Sequence, residues 1–217
     1  MRIGILGAGN VGGTLGRGWA EKGHDVFFGV RRPDDGKTQE LIRGIGPKAR
    51  AGSVRDAAAF AEVVVLATPF QATEEAIQEA GDLSGKVVID CTNPLTADFS
   101  GLTIGHTTSG LEQVMRWAKG ARVFKAFNQT GFGIMANPAL EGRQAVMFVC
   151  GDDAASKPTV LRLVSDLGFE ALDAGDRTTA RLLEPFGMLW IHLALVRGLG
   201  RDWAFGVLRR DPAETAK

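Results

Sequence analysis

The 217-residue chain has no tyrosine, two cysteines and three histidines. Without tyrosine, every mechanism that relies on a Tyr proton donor is excluded, including the Tyr–Lys pair of short-chain and aldo-keto type reductases. Cys91 and Cys150 lie far apart in apolar, strand-like runs. They form neither a metal-binding spacing nor a Cys-x-x-Cys, so they read as buried free thiols of a reducing, cytoplasmic compartment, with no metal site. An excess of charge of either sign is also missing: Lys and Arg total 25, as do Asp and Glu. No global field therefore recruits nucleic acid or an anionic membrane. The longest nearly uncharged apolar runs, 63–72 and 187–196, reach only about half of a membrane span. Met1-Arg2-Ile3-Gly4 has no signal-peptide anatomy. These absences leave a cytoplasmic protein acting on small molecules.

Glycine, by contrast, is abundant and placed. There are 29, and nine of them fall within the first 29 residues. Patterns of strand and helix alternate from the start. Strands are expected at 2–6, 25–29, 63–67, 86–90 and 122–126, with a minor one at 48–51. Helices are expected at 10–21, 38–45, 54–61, 72–80 and 111–118. Ser53 with Asp56 three residues on reads as a capping box. Continuous apolar runs such as Val63-Val64-Val65-Leu66 suit parallel strands buried on both faces. The rhythm predicts an α/β, doubly wound (Rossmann) parallel sheet over residues 1–128. After Asn128 the pattern predicts a small C-terminal α/β cap over 129–217. It comprises a strand at 144–150, a helix at 152–167 with Pro158 in its first turns, and a strand at 169–172. A long apolar helix at 178–199 follows, interrupted or kinked at Pro185-Phe186-Gly187.

The first βα turn, Gly7-Ala8-Gly9-Asn10-Val11-Gly12, fits G-x-G-x-x-G between a strand and a helix, the context that gives this weak pattern meaning. Gly7 allows the tight turn, Gly9 lets backbone approach a pyrophosphate, and Gly12 lets helix and strand pack closely. The free N–H groups of the helix start then receive phosphate charge. At the end of the second strand an NAD site usually carries Asp or Glu. This chain has Gly29-Val30-Arg31-Arg32. Two guanidiniums grip a 2′-phosphate and stack on adenine, so NADP(H) is the expected cofactor. The nicotinamide is expected over the later strand ends, where Thr68-Pro69-Phe70, Asn93-Pro94 and Asn128 stand. There Thr68, Pro69, Asn93 and Pro94 are candidate cofactor contacts, and Phe70 and Asn128 candidate substrate contacts.

Five segments in this order carry a resemblance. They are residues 1–10, Gly29-Val30-Arg31-Arg32, Ala67-Thr68-Pro69, Lys125-Ala126-Phe127-Asn128 and Cys150-Gly151-Asp152-Asp153, with Arg181-Leu182-Leu183-Glu184 near the end. The chain resembles the coenzyme F420-dependent NADP oxidoreductases, relatives of the cytosolic domains of six-transmembrane ferric reductases. The resemblance implies hydride transfer between NADPH and a deazaflavin (F420) or a flavin (FMN or FAD), with the glycine loop and Arg31 as NADP contacts. Val30 stands where the family often has Ser, which removes one phosphate hydrogen bond.

Hydride transfer between two rings needs stacking and water exclusion and no nucleophilic side chain. The sequence agrees, offering no Ser–His–Asp arrangement. Two alternatives stay open: reduction of a small imine or carbonyl with His106 as proton donor and substrate contact, and a non-catalytic NADP(H)-sensing module. His24, in a turn, reads as structural, and His192, on the long apolar helix, as a core histidine. Exposed apolar surface on the last helix would indicate a homodimer.

Overall fold

The computed structural model describes residues 1–210. Strand and helix alternate as β1 (Arg2–Leu6), α1 (Asn10–Glu21), β2 (Asp25–Gly29), α2 (Gly36–Ile45), β3 (Ala49–Gly52), α3 (Val54–Phe60), β4 (Val63–Leu66), α4 (Thr73–Ala80), β5 (Val87–Asp90), α5 (Gly110–Trp117) and β6 (Arg122–Lys125). Then come α6 (Phe132–Ala136), β7 (Ala139–Leu140), β8 (Arg143–Gln144), β9 (Val146–Gly151), α7 (Lys157–Asp166), β10 (Glu170–Asp173) and α8 (Ala180–Ile191). One eight-stranded sheet runs β10-β9-β6-β5-β4-β1-β2-β3, while β7 and β8 form a separate hairpin. Every pairing in the large sheet is parallel except β6 with β9. The chain has a doubly wound α/β fold.

Both faces of the sheet are covered, as the uninterrupted apolar strands require. Val63 and Val65 join one core with Ile3, Ile5, Leu15, Trp19 and Phe124, whereas Val64 and Leu66 join the other with Val88, Leu111, Val123 and Leu183. Successive side chains along a strand thus serve opposite layers. Ser53 caps α3 as its sequence suggests, accepting from the Asp56 N–H at 3.1 Å. Pro158 sits in the first turn of α7, where its missing N–H costs nothing.

Two expectations need correction. The segment after Asn128 does not sit on the sheet as a separate layer: β9 and β10 extend the sheet's own edge beyond β6. A reversal of strand direction at β9, not a break in the sheet, produces the change in sequence character at Asn128. The end of that segment, 211–217, lies outside the described residues. Nor does Pro185 break the last helix, because α8 runs through it and the irregularity falls later, in a π-helical turn at His192–Val196.

The layers are joined by a buried ionic cluster. Lys125 points into the layer that holds α5 and α8, with Nζ 2.7 Å from Asp90 Oδ2 and 2.8 Å from Glu184 Oε1, all three side chains buried. It also donates to the Thr92 carbonyl at 2.8 Å. Glu184, from α8, accepts from the Gly110 and Leu111 N–H groups that open α5, at 2.8 and 3.0 Å. Asp90 Oδ1 accepts from the Thr92 N–H and hydroxyl. Four segments, β6, the end of β5, α8 and the start of α5, are tied together through this cluster. Arg181 adds a bidentate pair to Glu112 of α5, at 3.0 and 2.7 Å.

Substitution Lys125→Met leaves two carboxylates buried without their cation. Breaking a buried pair in this way costs about 3–5 kcal/mol. The denaturation midpoint of that variant should fall accordingly, and a midpoint equal to the wild type's would show that the cluster contributes nothing to stability.

Candidate active site

The glycine loop has the geometry its sequence implies. Gly7 has φ +112°, a conformation that L side chains rarely adopt, and an added Cβ would lie 2.7 Å from the Ala67 carbonyl oxygen. At Gly12 a Cβ would stand 2.1 Å from the Gly7 carbonyl oxygen and 3.1 Å from Ile5. One turn on, at Gly16, it would meet the Phe28 ring at 2.4 Å. Gly9 is different: nothing lies within 4 Å of its Cβ position. That open space is where a ligand's phosphates can approach the backbone. Gly9 caps α1 with no side-chain hydrogen bond, and the first turn has no acidic residue. Ala8, Gly9 and Asn10 also form one end of a groove of about 940 Å³ between α1, α2 and α6. Val11 is half-buried beside them. The first N–H groups of α1 are therefore left for an anion.

On the β2 side of the loop lies a cavity of about 340 Å³, walled by Gly7, Val30, Arg31, Thr68, Pro69 and Ala76, among others. It brings together four regions separated in sequence, and its mostly apolar walls suit an adenine ring. Arg31 is exposed at its mouth, where it pairs with Glu75 of α4 at 2.5 Å. Arg32 points to a neighbouring cleft with Pro33, Asp34 and Asp35. Of these acids Asp35 is already engaged, capping α2 by accepting from the Lys37 N–H. Glu75 is the residue that sequence reasoning missed here. Its only signal is its place in the first turn of the helix after Thr68-Pro69.

The later strand ends are more tightly built than expected. Thr68 shares a hydroxyl contact of 3.0 Å with Thr73. Asn93 and Asn128 hold each other: Asn93 Nδ2 donates to the Asn128 carbonyl at 2.7 Å, and Asn128 Nδ2 donates to Asn93 Oδ1 at 3.0 Å. Asn128 also donates to the Leu183 carbonyl and accepts from Gln129. It is 5% exposed, and Gly187 of α8 packs so closely that a Cβ there would be 2.5 Å from its carbonyl oxygen. Asn128 is thus a strut between strand ends rather than a surface group for the acceptor. Phe70 is corrected likewise. The 3₁₀ turn Phe70–Ala72 turns its ring inward onto Trp117, with centroids 5.6 Å apart. Pro94 is buried as well, its carbonyl accepting from the Thr103 N–H and hydroxyl.

His106 is exposed on the loop between β5 and α5, with φ +62°. His24 bridges the N-terminal amine and Asp166, a structural role. His192, expected in the core, is exposed where the π turn begins. The ionisable groups beneath the strand ends belong to the buried cluster. Burial works against the charge on Lys125, but Asp90 and Glu184 outweigh it and hold its pKa above the ordinary lysine value. Burial also pushes the Cys150 thiol up to about 12, so this cysteine is no nucleophile at neutral pH. The β5–α5 loop is shaped by Asp98, whose carboxyl is lowered to about 2 by the Thr96 hydroxyl and then by Ser100. No helix of the described residues is long and apolar enough to cross a membrane.

These features match known proteins along the chain. The family model for NADP oxidoreductase, coenzyme F420-dependent, fits residues 2–94. The F420-dependent NADP reductase of Methanothermobacter thermautotrophicus is 28% identical over 210 residues, covering 89% of each protein. Metalloreductase STEAP3 of Rattus norvegicus is 26% identical over 185 residues. That match takes in 84% of this chain but only 36% of the rat protein, so the chain spans about a third of that relative. A crystal structure of a proposed F420-dependent NADP-reductase from Arthrobacter sp. FB24 superposes with a TM-score of 0.87 at 33% identity, covering 96% of this chain and 100% of that one. Imine reductases and reductive aminases share the fold at lower identity, for example one from Aspergillus terreus with a TM-score of 0.66 at 20%. With a third of its residues shared across the whole Arthrobacter protein, the chain belongs to the F420-dependent NADP oxidoreductase family.

Proposed function

We propose that this NADP-dependent oxidoreductase transfers hydride between NADP(H) and a deazaflavin of the F420 type, with a flavin (FMN or FAD) as the next acceptor in order of fit. One observation carries the reading. The rim of the sheet offers a phosphate turn and an adenine cavity, but among the described residues no ionisable side chain at the later strand ends is held ready to give a proton. Asp90, Lys125 and Glu184 are consumed by one another, and His106 stands exposed without a hydrogen-bond partner among the described residues. Such a site suits a reaction in which the nicotinamide supplies the hydride and a second ring takes it up. Reduction of a simple carbonyl would instead need a placed acid.

The residues that would hold NADP(H) are those with the open geometry. Gly9 and the start of α1 receive the pyrophosphate, Gly7, Val30, Pro69 and Ala76 enclose the adenine, and Arg31 with Arg32 grips the 2′-phosphate. In this arrangement Glu75 competes with the phosphate for Arg31. We further propose a homodimer formed through the last helix, where Leu182, Leu189 and Val196 are 70%, 47% and 60% exposed at a spacing of seven residues. Light scattering that finds only monomer would remove that proposal.

Two measurements test the cofactor and the acceptor. Replacing Arg31 by Ala should weaken NADPH binding by about 1.5–3 kcal/mol, the worth of a hydrogen bond to a charged group, and leave NADH unaffected. Glu75→Gln should do the opposite, tightening NADPH by no more than about 1 kcal/mol because the pair is exposed. An unchanged preference in Arg31→Ala refutes the assignment. For the acceptor, NADPH oxidation is followed with F420, FMN, FAD and a panel of carbonyls and imines. Turnover is expected with F420 and, more slowly, with flavins. Turnover confined to the small molecules, or tight NADPH binding with no turnover, would replace this reading by a small-substrate reductase or a sensor.

A further inference from the structure

Asp90, Lys125 and Glu184 join the layers of the fold, but their charges do not cancel. Among the described residues they are the only buried Asp, Glu, Lys or Arg side chains. Both carboxyls act as acceptors throughout, which is the behaviour of the ionised form. Glu184 takes the N–H groups of Gly110 and Leu111 and faces Lys125 Nζ. Asp90 Oδ1 takes the Thr92 N–H and hydroxyl, while Oδ2 faces Lys125 Nζ and has no hydrogen-bond partner among the described residues beyond that charge contact. Two anions against one cation leave one negative charge in the layer. The start of α5, aimed at Glu184, returns only about half a unit. The neighbouring Arg181–Glu112 pair cancels itself. An uncompensated buried charge is costly, and a neutral pair would avoid that cost, so the second carboxylate calls for a role beyond packing.

The place of the cluster suggests that role. Asp90 and Lys125 are the last residues of β5 and β6 and are partners in register. Lys125 Nζ donates to the Thr92 carbonyl, and the next residue, Asn93, is braced to Asn128. Glu184 precedes Gly187 on α8 by less than one turn. Gly187 packs on the same brace: a Cβ there would stand 2.5 Å from the Asn128 carbonyl oxygen and 3.2 Å from Asn93 Nδ2. Unbroken contacts thus lead from the unbalanced charge to the carboxyl ends of β5 and β6. The phosphate turn and the adenine cavity lie at the ends of β1 and β2, so the nicotinamide half of a dinucleotide falls towards the ends of β4, β5 and β6. The cluster offers no proton to that rim. What reaches the rim is its field, little screened because the layer holds no water-exposed charge between them.

We infer that the unbalanced buried carboxylate tunes the bound cofactor, favouring the oxidised, cationic nicotinamide over the neutral reduced ring. Asp90 and Glu184 supply the charge and act through space, touching no reacting atom. In the proposed reaction a C–H bond of the reduced ring breaks, both its electrons leave with the hydrogen for the acceptor, and the ring is left with one positive charge. A fixed negative charge beneath the rim lowers the cost of that change and makes NADPH a stronger donor in the site than in water. The inference rests on the proposed function for the use of NADP(H) and for the side of the rim the nicotinamide takes. It does not depend on which acceptor receives the hydride.

The test measures Kd for NADP+ and for NADPH on the full chain by titration calorimetry, with circular dichroism to check the fold. Asp90→Asn keeps the shape of the side chain and leaves Lys125 and Glu184 as a neutral pair. The ratio of the NADP+ Kd to the NADPH Kd should rise roughly tenfold, the order for one unit charge acting over about 10 Å at an effective dielectric constant of about 20. By linkage that is a shift of about 30 mV in the two-electron potential of the bound couple. A purely structural role would weaken both forms alike and leave the ratio where it was. Lys125→Arg, which keeps the charge while disturbing the packing, should leave the ratio unchanged. If Asp90→Asn does not fold, the wild type carries the test: NADP+ binding more tightly than NADPH supports the inference, and the reverse order overturns it. An unchanged ratio in folded Asp90→Asn also overturns it and leaves the cofactor assignment standing, whereas a wild type that binds neither nucleotide overturns both. A shifted ratio without hydride transfer to F420 or a flavin supports the electrostatic role and overturns the proposed reaction.

Discussion

The structure depends on a buried cation. Lys125 sits in a strand at the middle of the molecule with no exposed surface, and its charge is tolerable only because Asp90 and Glu184 face it at hydrogen-bonding distance. Neither carboxylate is left with Lys125 as its sole partner. Glu184 also takes the two N–H groups that open α5, which would otherwise be buried without partners, and Asp90 fixes the turn at Thr92. The cluster therefore decides where α8 crosses the sheet, how α5 begins and how the chain leaves β5. Each of these sets the height and direction of a loop at the rim where ligands bind. The mutual hold of Asn93 and Asn128 lies directly beyond it in the chain.

The nucleotide side of the rim obeys a different constraint, which is close approach. Gly12 and Gly16 bring α1 against β1 and β2 with no room for a Cβ, and Gly7 folds the turn under Ala67. Removing side chains in this way places the unpaired N–H groups of a helix start over an open space at Gly9. The electrostatics on the far side are balanced rather than purely attractive. Arg31 faces Glu75, so a ligand phosphate must offer it more than a carboxylate does. A 2′-phosphate, with more charge and more acceptor oxygens, can do so where a ribose hydroxyl cannot.

Much of this was legible in the sequence because it is local. The fingerprint Gly7–Gly12, the cap at Ser53 and the arginines after β2 act within a few residues of themselves, and the doubly wound order follows from unbroken apolar strands alternating with helical patterns. The candidate substrate contacts were less legible. Phe70 and Asn128 occupy strand ends, where ligands gather, but a position at a strand end does not say which way a side chain turns. A 3₁₀ turn took Phe70 into the core, and α8 covered Asn128. The change in sequence character after Asn128 suggested a separate cap because direction of pairing cannot be read from composition: β9 is antiparallel to β6 and still belongs to the same sheet.

The sequence by itself determined the class of fold, the phosphate turn and the cationic end of β2, since each is written in contiguous residues whose backbone or charge requirements are met locally. Only the tertiary structure decided the rest. Lys125, Asp90 and Glu184 are 35 and 59 residues apart along the chain and each is unremarkable alone. Their meaning comes from burial, which makes an unpaired charge too costly and so forces distant segments to meet. The same packing turned the Phe70 ring onto Trp117 and put Asn128 under α8, which no position at a strand end announces.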